Sequence, residues 1–452
     1  MRWHQGYEEQ IMDGIEVTDT AEEQLGRTLG AALRGDLIHS EEYTSVAFME
    51  REMDMVWAKV WNVGGIASEI PEPGDYVTHN LGRESILMVR QDDGSVKAFF
   101  NVCQHRGNRL VYGRDGAADL FTCVYHGWQF ARDGELVNVQ DAEDFREGNP
   151  CGKLNLVEMP CEVWAGFIWY NMDPDCKPLK EFLGPVVAEL ENYRIEDMTR
   201  VFYRVTEAPF NYKCIHDNFC ESYHLPTLHP QIGSYVDDDY RNTHFIMYPQ
   251  GHNLMKMKGA LPSVRDAGGI SETLANEMRE WDLDPADFEG RARDVRGALQ
   301  QRKRELGPQR GLAHYAEMEP GQLTDAHHFN IFPGTTMTMQ SPMMLGFQRA
   351  EPHPTDPNKC IFEHWRFSHP THDGRDVVTP IGVFPFRVAE REEIEFGKGS
   401  MGSVSDQDLY ACSGQQLGFH SRGFRRAYLA GQEDRVQQFH EMLHDYMDGK
   451  QP

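Results

Sequence analysis

Two Cys-His pairs constrain this chain more than any other feature of its sequence. Cys103 and His105 form the first pair, Cys123 and His126 form the second, and 17 residues separate His105 from Cys123. Thiolates combined with imidazoles bind either a tetrahedral zinc ion or a [2Fe-2S] cluster held by two cysteines and two histidines. Zinc fingers usually keep paired cysteines and paired histidines in separate halves, whereas each segment here supplies one ligand of each type. The mixed order favours the iron-sulfur cluster over structural zinc.

The residues around both pairs make this assignment specific. The string Cys-x-His-Arg-Gly begins at Cys103, and Cys-x-x-His-Gly-Trp-x-Phe begins at Cys123. Together they resemble the signature of Rieske domains in ring-hydroxylating oxygenases. The resemblance implies that Cys103 and Cys123 hold the buried iron and that His105 and His126 hold the outer one. Imidazoles in place of thiolates raise the reduction potential, so such a cluster accepts electrons from a ferredoxin or a flavin reductase.

A second metal site is predicted downstream. The segment from Asn211 to His224 predicts a helix that Pro226 ends near Leu225, and His229 follows in the turn beyond. Two neutral imidazoles and one carboxylate, with the other positions open, form the facial triad of non-haem Fe(II) oxygenases. A histidine pair alone is weak evidence in a chain with 20 histidines. The whole segment, however, resembles the mononuclear-iron motif of the same oxygenase family, which implies His224 and His229 as iron ligands.

Further polar residues on this predicted helix are candidates for catalytic roles. Asp217, Glu221 and His224 recur at helical spacing and are predicted to project from one face. Asn218 lies beside them. The family usually has Asp where this chain has Glu221, and the resemblance implies that this acid connects His224 with His126 of the partner subunit. The alternative is a plain exposed acid.

The resemblance places the third iron ligand on a helix near the C-terminus. The segment from Ser405 to Gln416 looks like that helix, and Asp408 is the predicted ligand with Asp406 as the substitute. A competing interpretation is that Ser405 and Asp408 form a capping box, in which the carboxylate only satisfies a backbone donor.

Apolar residues predict the wall of a substrate pocket. The runs around residues 327–333 and 337–344 resemble the strands that line the pocket in this family, and adaptable apolar walls suit an aromatic or alicyclic substrate. The alternative is that these are ordinary core residues of a sheet. The candidate pocket residues are Phe219, Met247, Phe329, Phe332 and Met343.

The spacing of apolar residues and turns along the sequence predicts an α+β fold in three parts. Residues 1–58 carry apolar positions at helical spacing and predict two helices packed on the catalytic domain. Residues 59–172 alternate short apolar runs with turns, which predicts the small antiparallel Rieske [2Fe-2S] domain. Residues 173–452 mix strands and helices and predict a helix-grip-like catalytic domain with a central antiparallel sheet. The helical positions of the first part include Leu25, Leu29, Leu33, Phe48, Met53 and Val56.

A helical insertion is predicted at about residues 260–315. Its helices are expected from Ile270 to Trp281 and from Phe288 to Leu306, with a break that ends at Pro285. The insertion either forms a lid over the site or is a solvated helical hairpin without a role there.

Composition excludes several classes of protein. A formal net charge of -27 opposes a phosphate backbone and argues against a nucleic-acid partner. No apolar run approaches the length of a membrane span, and the acidic N-terminal region predicts neither a signal nor a transit peptide, so the cytoplasm is expected. Nine cysteines in such a chain indicate metal ligation rather than a disulfide framework.

These features imply the oxygenase component of a multicomponent Rieske system. It would use O2 and NADH-derived electrons to hydroxylate an aromatic or alicyclic substrate, as in aromatic hydrocarbon catabolism. N- or O-dealkylation by a Rieske monooxygenase is the alternative, and a non-catalytic electron-transfer protein is a third. No dinucleotide-binding glycine fingerprint is identified between a predicted strand and a predicted helix, which assigns flavin and nicotinamide to partner proteins. The resemblance also implies a head-to-tail homotrimer, to which some family members add a β subunit.

Overall fold

The computed structural model describes residues 32–266, 269–371, 374–379 and 382–450. Leu25 and Leu29 of the first predicted N-terminal helix lie outside the described residues, and Leu33, which is described, is not helical. The second is present in a broken form. Helix α1 (Glu41–Thr44) is followed by α2 (Val46–Glu52), which Ser45 caps by accepting a hydrogen bond from the Phe48 N–H, and α2 continues as one π-helical turn, Met53–Trp57.

Short antiparallel strands form the first β-rich part of the chain. They make a five-stranded sheet in the order β5-β2-β3-β4-β9 and two three-stranded sheets, β1-β11-β10 and β6-β7-β8. The predicted small antiparallel β domain is confirmed, although its predicted limits at 59 and 172 remain a prediction. The strands are β1 (Trp61–Ile66), β2 (Asp75–Leu81), β3 (Glu84–Arg90), β4 (Val96–Phe100), β5 (Asp115–Ala117), β6 (Leu120–Thr122), β7 (Gln129–Ala131), β8 (Leu136–Asn138), β9 (Glu158–Met159), β10 (Cys161–Trp164) and β11 (Phe167–Asn171).

An eight-stranded sheet forms the centre of the second part. Its order is β13-β14-β15-β16-β17-β18-β12-β21, and every pair is antiparallel except β12 with β21. The predicted α+β class with a central antiparallel sheet is therefore confirmed. The strands are β12 (Thr199–Ala208), β13 (His244–Met247), β14 (Asn253–Met257), β15 (Ala326–Ile331), β16 (Thr335–Ser341), β17 (Met344–Pro352), β18 (Cys360–Ser368) and β21 (Glu392–Glu393), and a separate hairpin pairs β19 (Val377–Thr379) with β20 (Gly382–Phe384).

Helices cover this sheet and connect its strands. Two short helices precede β12, two carry the segment predicted to hold histidine ligands, two belong to the insertion, and two longer ones lie near the C-terminus. They are α3 (Leu179–Leu183), α4 (Val186–Glu191), α5 (Tyr212–Phe219), α6 (Leu225–Leu228), α7 (Glu272–Glu280), α8 (Val295–Leu306), α9 (Ser403–Phe419) and α10 (Asp434–Met447). Within the described ranges, none of the helices combines the length and apolar character that a bilayer crossing requires.

The central sheet has two different faces, because neighbouring residues of a strand point to opposite sides. One face carries Asn330, whose Nδ2 donates to the Phe219 carbonyl of α5 at 3.0 Å. We call it the helix face. The other carries Phe347, whose ring stacks on Phe167 of β11 at 5.0 Å between centroids. We call it the domain face, since it packs on the first β-rich part. The register places Met255, His328, Thr338, Gly346 and Arg366 on the helix face and Leu254, Phe329, Met337, Phe347 and Trp365 on the domain face.

Buried polar groups fix the two parts of the chain to each other. His79 Nε2 lies 3.0 Å from Glu351 Oε2, and His79 Nδ1 lies 2.9 Å from the Tyr170 hydroxyl. All three side chains are almost fully buried. A buried ionisable group is tolerated when its hydrogen bonds are satisfied, so these contacts define a single arrangement of the first part on the domain face.

The predicted insertion contains two helices with shifted limits. The first, α7, lies within the predicted range, but the second begins at Val295 instead of Phe288, because single 3-10 turns occupy the residues between. Buried contacts join the insertion to the core: Lys303 Nζ donates to the Leu323 carbonyl at 2.7 Å, and the Tyr235 hydroxyl donates to Glu277 Oε2. The solvated hairpin is therefore a poor description, and a role as a lid stays a prediction.

The glycines ahead of α9 correct one sequence-based expectation. A G-x-G-x-x-G string does occur from Gly397 to Gly402, directly before α9. The strand ahead of it, β21, has only two residues and pairs with β12 at the sheet edge. The described residues contain no βαβ unit around this string, so it lacks the setting in which such glycines bind a dinucleotide.

Candidate metal centres

Two loops of the first β-rich part have the same backbone geometry. In each loop the cysteine N–H donates to the carbonyl five residues ahead at 2.8 Å, and the glycine N–H four residues ahead donates back to the cysteine carbonyl at 2.9 to 3.1 Å. Both glycines have positive φ, 71° and 69°, which only glycine adopts without strain. The residues involved are Cys103, Gly107 and Asn108 in one loop and Cys123, Gly127 and Trp128 in the other.

The four predicted cluster ligands converge at the tips of these loops. Cys103 and Cys123 are buried, whereas His105 and His126 are half-buried, with 4.5 Å between their ring centroids. Burial and the neighbouring Cys123 thiol raise the pKa of Cys103 to about 11, although backbone N–H groups oppose the shift. His105 Nδ1 is buried without a partner. Two adjacent thiols and an unpartnered imidazole nitrogen fit the donor set of a [2Fe-2S] cluster.

The predicted iron ligands His224, His229 and Asp408 also converge, on the helix-covered side of the central sheet. One ligand atom from each lies within 4.8 Å of the others. Asp408 Oδ1 is 2.6 Å from His229 Nε2 and 3.7 Å from His224 Nε2. Asp408 and His229 are buried, and His224 is half-buried. Two imidazoles and one carboxylate, arranged around one point, fit a mononuclear iron of the facial-triad type.

The alternative Asp406 does not reach this point. Its carboxylate accepts hydrogen bonds from the Met401 N–H and the Ser400 hydroxyl, both at 2.6 Å, and so satisfies groups at the start of α9. The capping-box interpretation of Asp408 is also wrong, since α9 begins at Ser403 and the Ser405 hydroxyl accepts a hydrogen bond from the Gln348 side chain at 3.1 Å.

The helix that leads to the histidines is shorter than predicted. Helix α5 ends at Phe219, and Pro226 does not terminate it but lies in the first turn of α6, where proline is tolerated. His224 is the residue just before α6, and His229 directly follows it. The prediction that Asp217, Glu221 and His224 share one helix face is therefore wrong.

Glu221 lies against His224 in a tight turn. Its Oε1 is 2.5 Å from His224 Nδ1, and its Oε2 accepts from the N–H groups of Tyr223 and His224. Burial alone would lower the pKa of His224, but the hydrogen bond to Glu221 and the charges of Glu221 and Asp408 outweigh it and raise the pKa. A carboxylate on the outer nitrogen fixes the imidazole tautomer, which leaves Nε2 directed at the ligand cluster.

Two amide side chains complete the surroundings of the ligands. Gln407 Oε1 lies 2.8 Å from His229 Nδ1 and also accepts from Gln231 Nε2 at 2.7 Å. Asn218 Nδ2 donates to Asp408 Oδ1 at 3.0 Å. The geometry thus brings Asn218 to the candidate site. Gln407 and Gln231 were not predicted, and the only local signal for Gln407 is its position next to Asp408.

Asp217 points away from the ligands into a buried network. Its carboxylate accepts from the Tyr43 hydroxyl at 2.5 Å and lies 3.1 Å from His440 Nε2, while His440 Nδ1 lies 2.9 Å from Glu42 Oε2. Burial alone would lower the pKa of His440, but the two carboxylates raise it to about 9. The predicted catalytic position of Asp217 is corrected, because the residue joins α5 to α1 and α10.

The predicted pocket residues lie in different parts of the structure. Phe219 contacts the ring of His328 on the helix face, and Met247 is paired with Asn253 on that same face. Phe329 is on the domain face, so it cannot line a pocket beside α5. The other two predicted pocket residues contact different parts of the chain. Phe332 stacks on Tyr446 of α10, and half-buried Met343 contacts the Tyr315 hydroxyl near the insertion.

Comparison with protein families follows the same division of the chain. Residues 60–151 match the model of the Rieske [2Fe-2S] domain, and residues 195–449 match the ring hydroxylating alpha subunit (catalytic domain). Among curated proteins, the carnitine monooxygenase oxygenase subunit of Acinetobacter pittii is 36% identical over 210 residues, 45% of this chain and 55% of that protein. The chloroplastic choline monooxygenase of Spinacia oleracea is 32% identical over 214 residues, 46% of this chain and 48% of that protein. The chain thus spans about half the length of the curated relatives it matches.

Solved structures share the fold over most of the chain. A quaternary ammonium Rieske monooxygenase in complex with L-carnitine has a TM-score of 0.63 and 21% identity, and the match covers 91% of this chain and 95% of that one. Naphthalene 1,2-dioxygenase from Rhodococcus sp., bound to indole, has a TM-score of 0.62 and 18% identity, with 92% and 95% covered. At these identities the likeness concerns the fold.

Proposed function

Because the chain belongs to the family of ring-hydroxylating alpha subunits and carries its Rieske [2Fe-2S] domain, we propose that it is the terminal oxygenase of a multicomponent system that uses O2 and electrons to oxidise a small organic substrate. The convergence of His224, His229 and Asp408 carries this proposal. The cofactors of this family are the Rieske cluster and a mononuclear iron, and both donor sets fit them.

Each centre has its own set of residues. Cys103, His105, Cys123 and His126 would hold the cluster, and His224, His229 and Asp408 would hold the mononuclear iron. When bound, the iron would supply open coordination positions for O2 and substrate, and the cluster would supply electrons.

Three neighbouring side chains position the iron ligands. Gln407 orients His229, Asn218 holds one oxygen of Asp408, and Glu221 fixes the tautomer of His224. Each ligand therefore has a hydrogen-bond partner that sets its direction before the metal binds.

We propose that Glu221 also connects the two kinds of centre between subunits. Its carboxylate already bonds to His224, and a head-to-tail homotrimer would bring the cluster loop of a second copy toward it. The electrons would come from NADH through a flavin reductase, with or without a ferredoxin, and a β subunit is compatible with this scheme. We expect the assembly to work in the cytoplasm.

Two reaction outcomes follow from the same site. Hydroxylation of an aromatic or alicyclic ring is the outcome expected from the sequence. The second outcome is monooxygenation, in which hydroxylation next to nitrogen ends in N-dealkylation. The names of two relatives, carnitine monooxygenase and choline monooxygenase, favour monooxygenation over dihydroxylation. Labelled dioxygen distinguishes the two outcomes. A cis-diol retains both oxygen atoms of O2. Dealkylation inserts one oxygen atom into the substrate, which then releases an aldehyde, and converts the second oxygen atom to water.

The decisive experiment combines metal analysis with turnover. Anaerobically purified protein should contain a [2Fe-2S] cluster, acid-labile sulfide and one further iron, and should consume O2 with a surrogate reductase and a panel of aromatic, alicyclic and quaternary ammonium compounds. His224→Ala should keep the cluster spectrum and lose turnover. A protein with zinc and no sulfide would contradict the proposal, and a cluster without the second iron would indicate electron transfer alone.

A further inference from the structure

The C-terminal helix α10 places a fully buried guanidinium beside the end of α5. Arg435 Nε donates to Asn253 Oδ1 at 2.6 Å and Nη2 donates to the Phe219 carbonyl at 3.4 Å, while Nη1 has no partner. Neither of its two acceptors is a carboxylate. A buried charge of this kind is costly unless an opposite charge compensates it. Arg435 therefore differs from the buried Lys303, which is paired with Glu277.

Two further unpartnered nitrogens lie next to this guanidinium. Asn253 Nδ2 and His328 Nε2 are buried without hydrogen-bond partners. His328 uses its other nitrogen, Nδ1, for the Thr338 hydroxyl at 2.9 Å. The strand register places Asn253, His328 and Thr338 on the helix face of the sheet. A guanidinium, an amide NH2 and an imidazole are all able to donate hydrogen bonds, so this cluster is rich in donors.

The cluster borders the candidate iron site. Phe219, which accepts from Arg435, is the last residue of α5, and its ring contacts that of His328 at 5.8 Å. Phe219 is two residues before Glu221, whose carboxylate lies 2.5 Å from His224 Nδ1. The unpartnered donors are thus close to the histidine end of the predicted iron ligand set.

We propose that Arg435, Asn253 and His328 bind a carboxylate of the substrate, which makes the substrate a small organic acid or a zwitterion rather than a simple cation or a hydrocarbon. This inference rests on the proposed function and narrows it. A guanidinium supplies charge-assisted donors for a carboxylate, and the amide and imidazole supply further hydrogen bonds. A cation such as choline would bring a second positive charge near Arg435 without compensating it.

The first test uses the wild-type holoenzyme with matched pairs of probes. γ-Butyrobetaine is compared with its methyl ester and with choline, and benzoate with methyl benzoate, in calorimetric binding and in turnover. We expect an acid of the panel to bind at least about 30-fold more tightly than its ester, which corresponds to about 2 kcal/mol. Equal binding of acids and esters, no binding of any acid, or a preference for choline would overturn the inference.

The second test separates recognition from a purely structural role, since Arg435 also contacts the last carbonyl of α5. Arg435→Gln should weaken binding of the acid at least about 30-fold and leave the ester unchanged, with both metal contents intact, whereas Arg435→Lys should restore part of the preference. Equal losses for acid and ester would show that the guanidinium only holds the helix. If Arg435→Gln does not fold, His328→Gln and the wild-type comparison decide.

These outcomes are distinguishable from a failure of the proposed function. A protein without the second iron, or one that forms no oxygenated product from any compound, contradicts the proposed activity. The binding difference between acid and ester is measured without turnover, so it tests the carboxylate site in either case.

Discussion

The stability of this protein should fall between pH 7 and pH 9 because of one buried histidine. His440 lies between the carboxylates of Asp217 and Glu42, and its pKa is raised to about 9. A histidine whose pKa is higher in the folded than in the unfolded state stabilises the fold fully below the unfolded value of about 6.5. That contribution is lost as the pH rises through the folded value.

The size of the effect follows from the two pKa values. With about 6.5 for the unfolded chain and about 9 for the folded protein, protonated His440 contributes about 2.5 kcal/mol at pH 7 and less than about 0.5 kcal/mol at pH 9. The difference between wild type and His440→Gln should therefore shrink by about 2 kcal/mol over this range. Because His440 is fully buried, solvent does not screen its interaction with the two carboxylates.

Urea denaturation followed by far-UV circular dichroism measures this difference at each pH. Cysteines and tyrosines also titrate above pH 8, but they are the same in both proteins and cancel in the comparison. His420→Gln is the matched control, since His420 is exposed near the same end of the chain and should leave the profile parallel to wild type. A constant difference between wild type and His440→Gln from pH 7 to pH 9 would refute the argument.

Three further predictions concern other parts of the site and its support. Lys213→Met should cost about 3 to 5 kcal/mol in the free energy of unfolding, because it leaves the carboxylate of Glu52 buried without its cation, and a loss under about 1 kcal/mol in urea denaturation would contradict this. Asp408→Ala should lose the mononuclear iron and keep the cluster absorption, whereas Asp406→Asn should keep both, as iron analysis and visible spectra will show. Cys123→Ser should abolish the visible spectrum of the cluster, and an unchanged spectrum would remove Cys123 from the ligand set.

The cluster loops were predictable because the residues that shape each loop are close together in the sequence. A cysteine, a histidine and a glycine within five positions specify a tight turn, and the glycine supplies the positive φ that the turn needs. The tips of the two loops are in direct contact, although they are separate in sequence. The order of the residues in the sequence nevertheless identifies both loops as parts of one site.

The structure brings the predicted iron-ligand residues together, but the predicted end of their helix is wrong. Local propensity continues the helix to Pro226, yet it ends at Phe219. The last carbonyl of α5 accepts hydrogen bonds from Asn330 and Arg435, which are distant in sequence. Long-range contacts of this kind help to decide where a helix ends, and the pattern of neighbouring residues in the sequence does not show them.

The pocket was the least predictable part, because the central strands are buried on both sides. Apolar residues then occur on both faces, so hydrophobicity does not show which face a residue takes. Phe329 and His328 are neighbours in β15, but only His328 is on the helix face. The choice between Asp408 and Asp406 was open for the same reason. Which carboxylate faces the histidines depends on the direction and burial of each side chain, and the sequence of the helix does not show these.

The two faces of the central sheet also separate two kinds of evolutionary freedom. Helix-face residues such as His328 and Asn330 contact the end of α5, while domain-face residues such as Phe347 contact the electron-relay part. A strand such as β15 therefore contributes alternate side chains to two different surroundings. New substrate preferences are therefore accessible through every second residue of a strand. Such substitutions leave the contacts between the domain face and the first β-rich part unchanged.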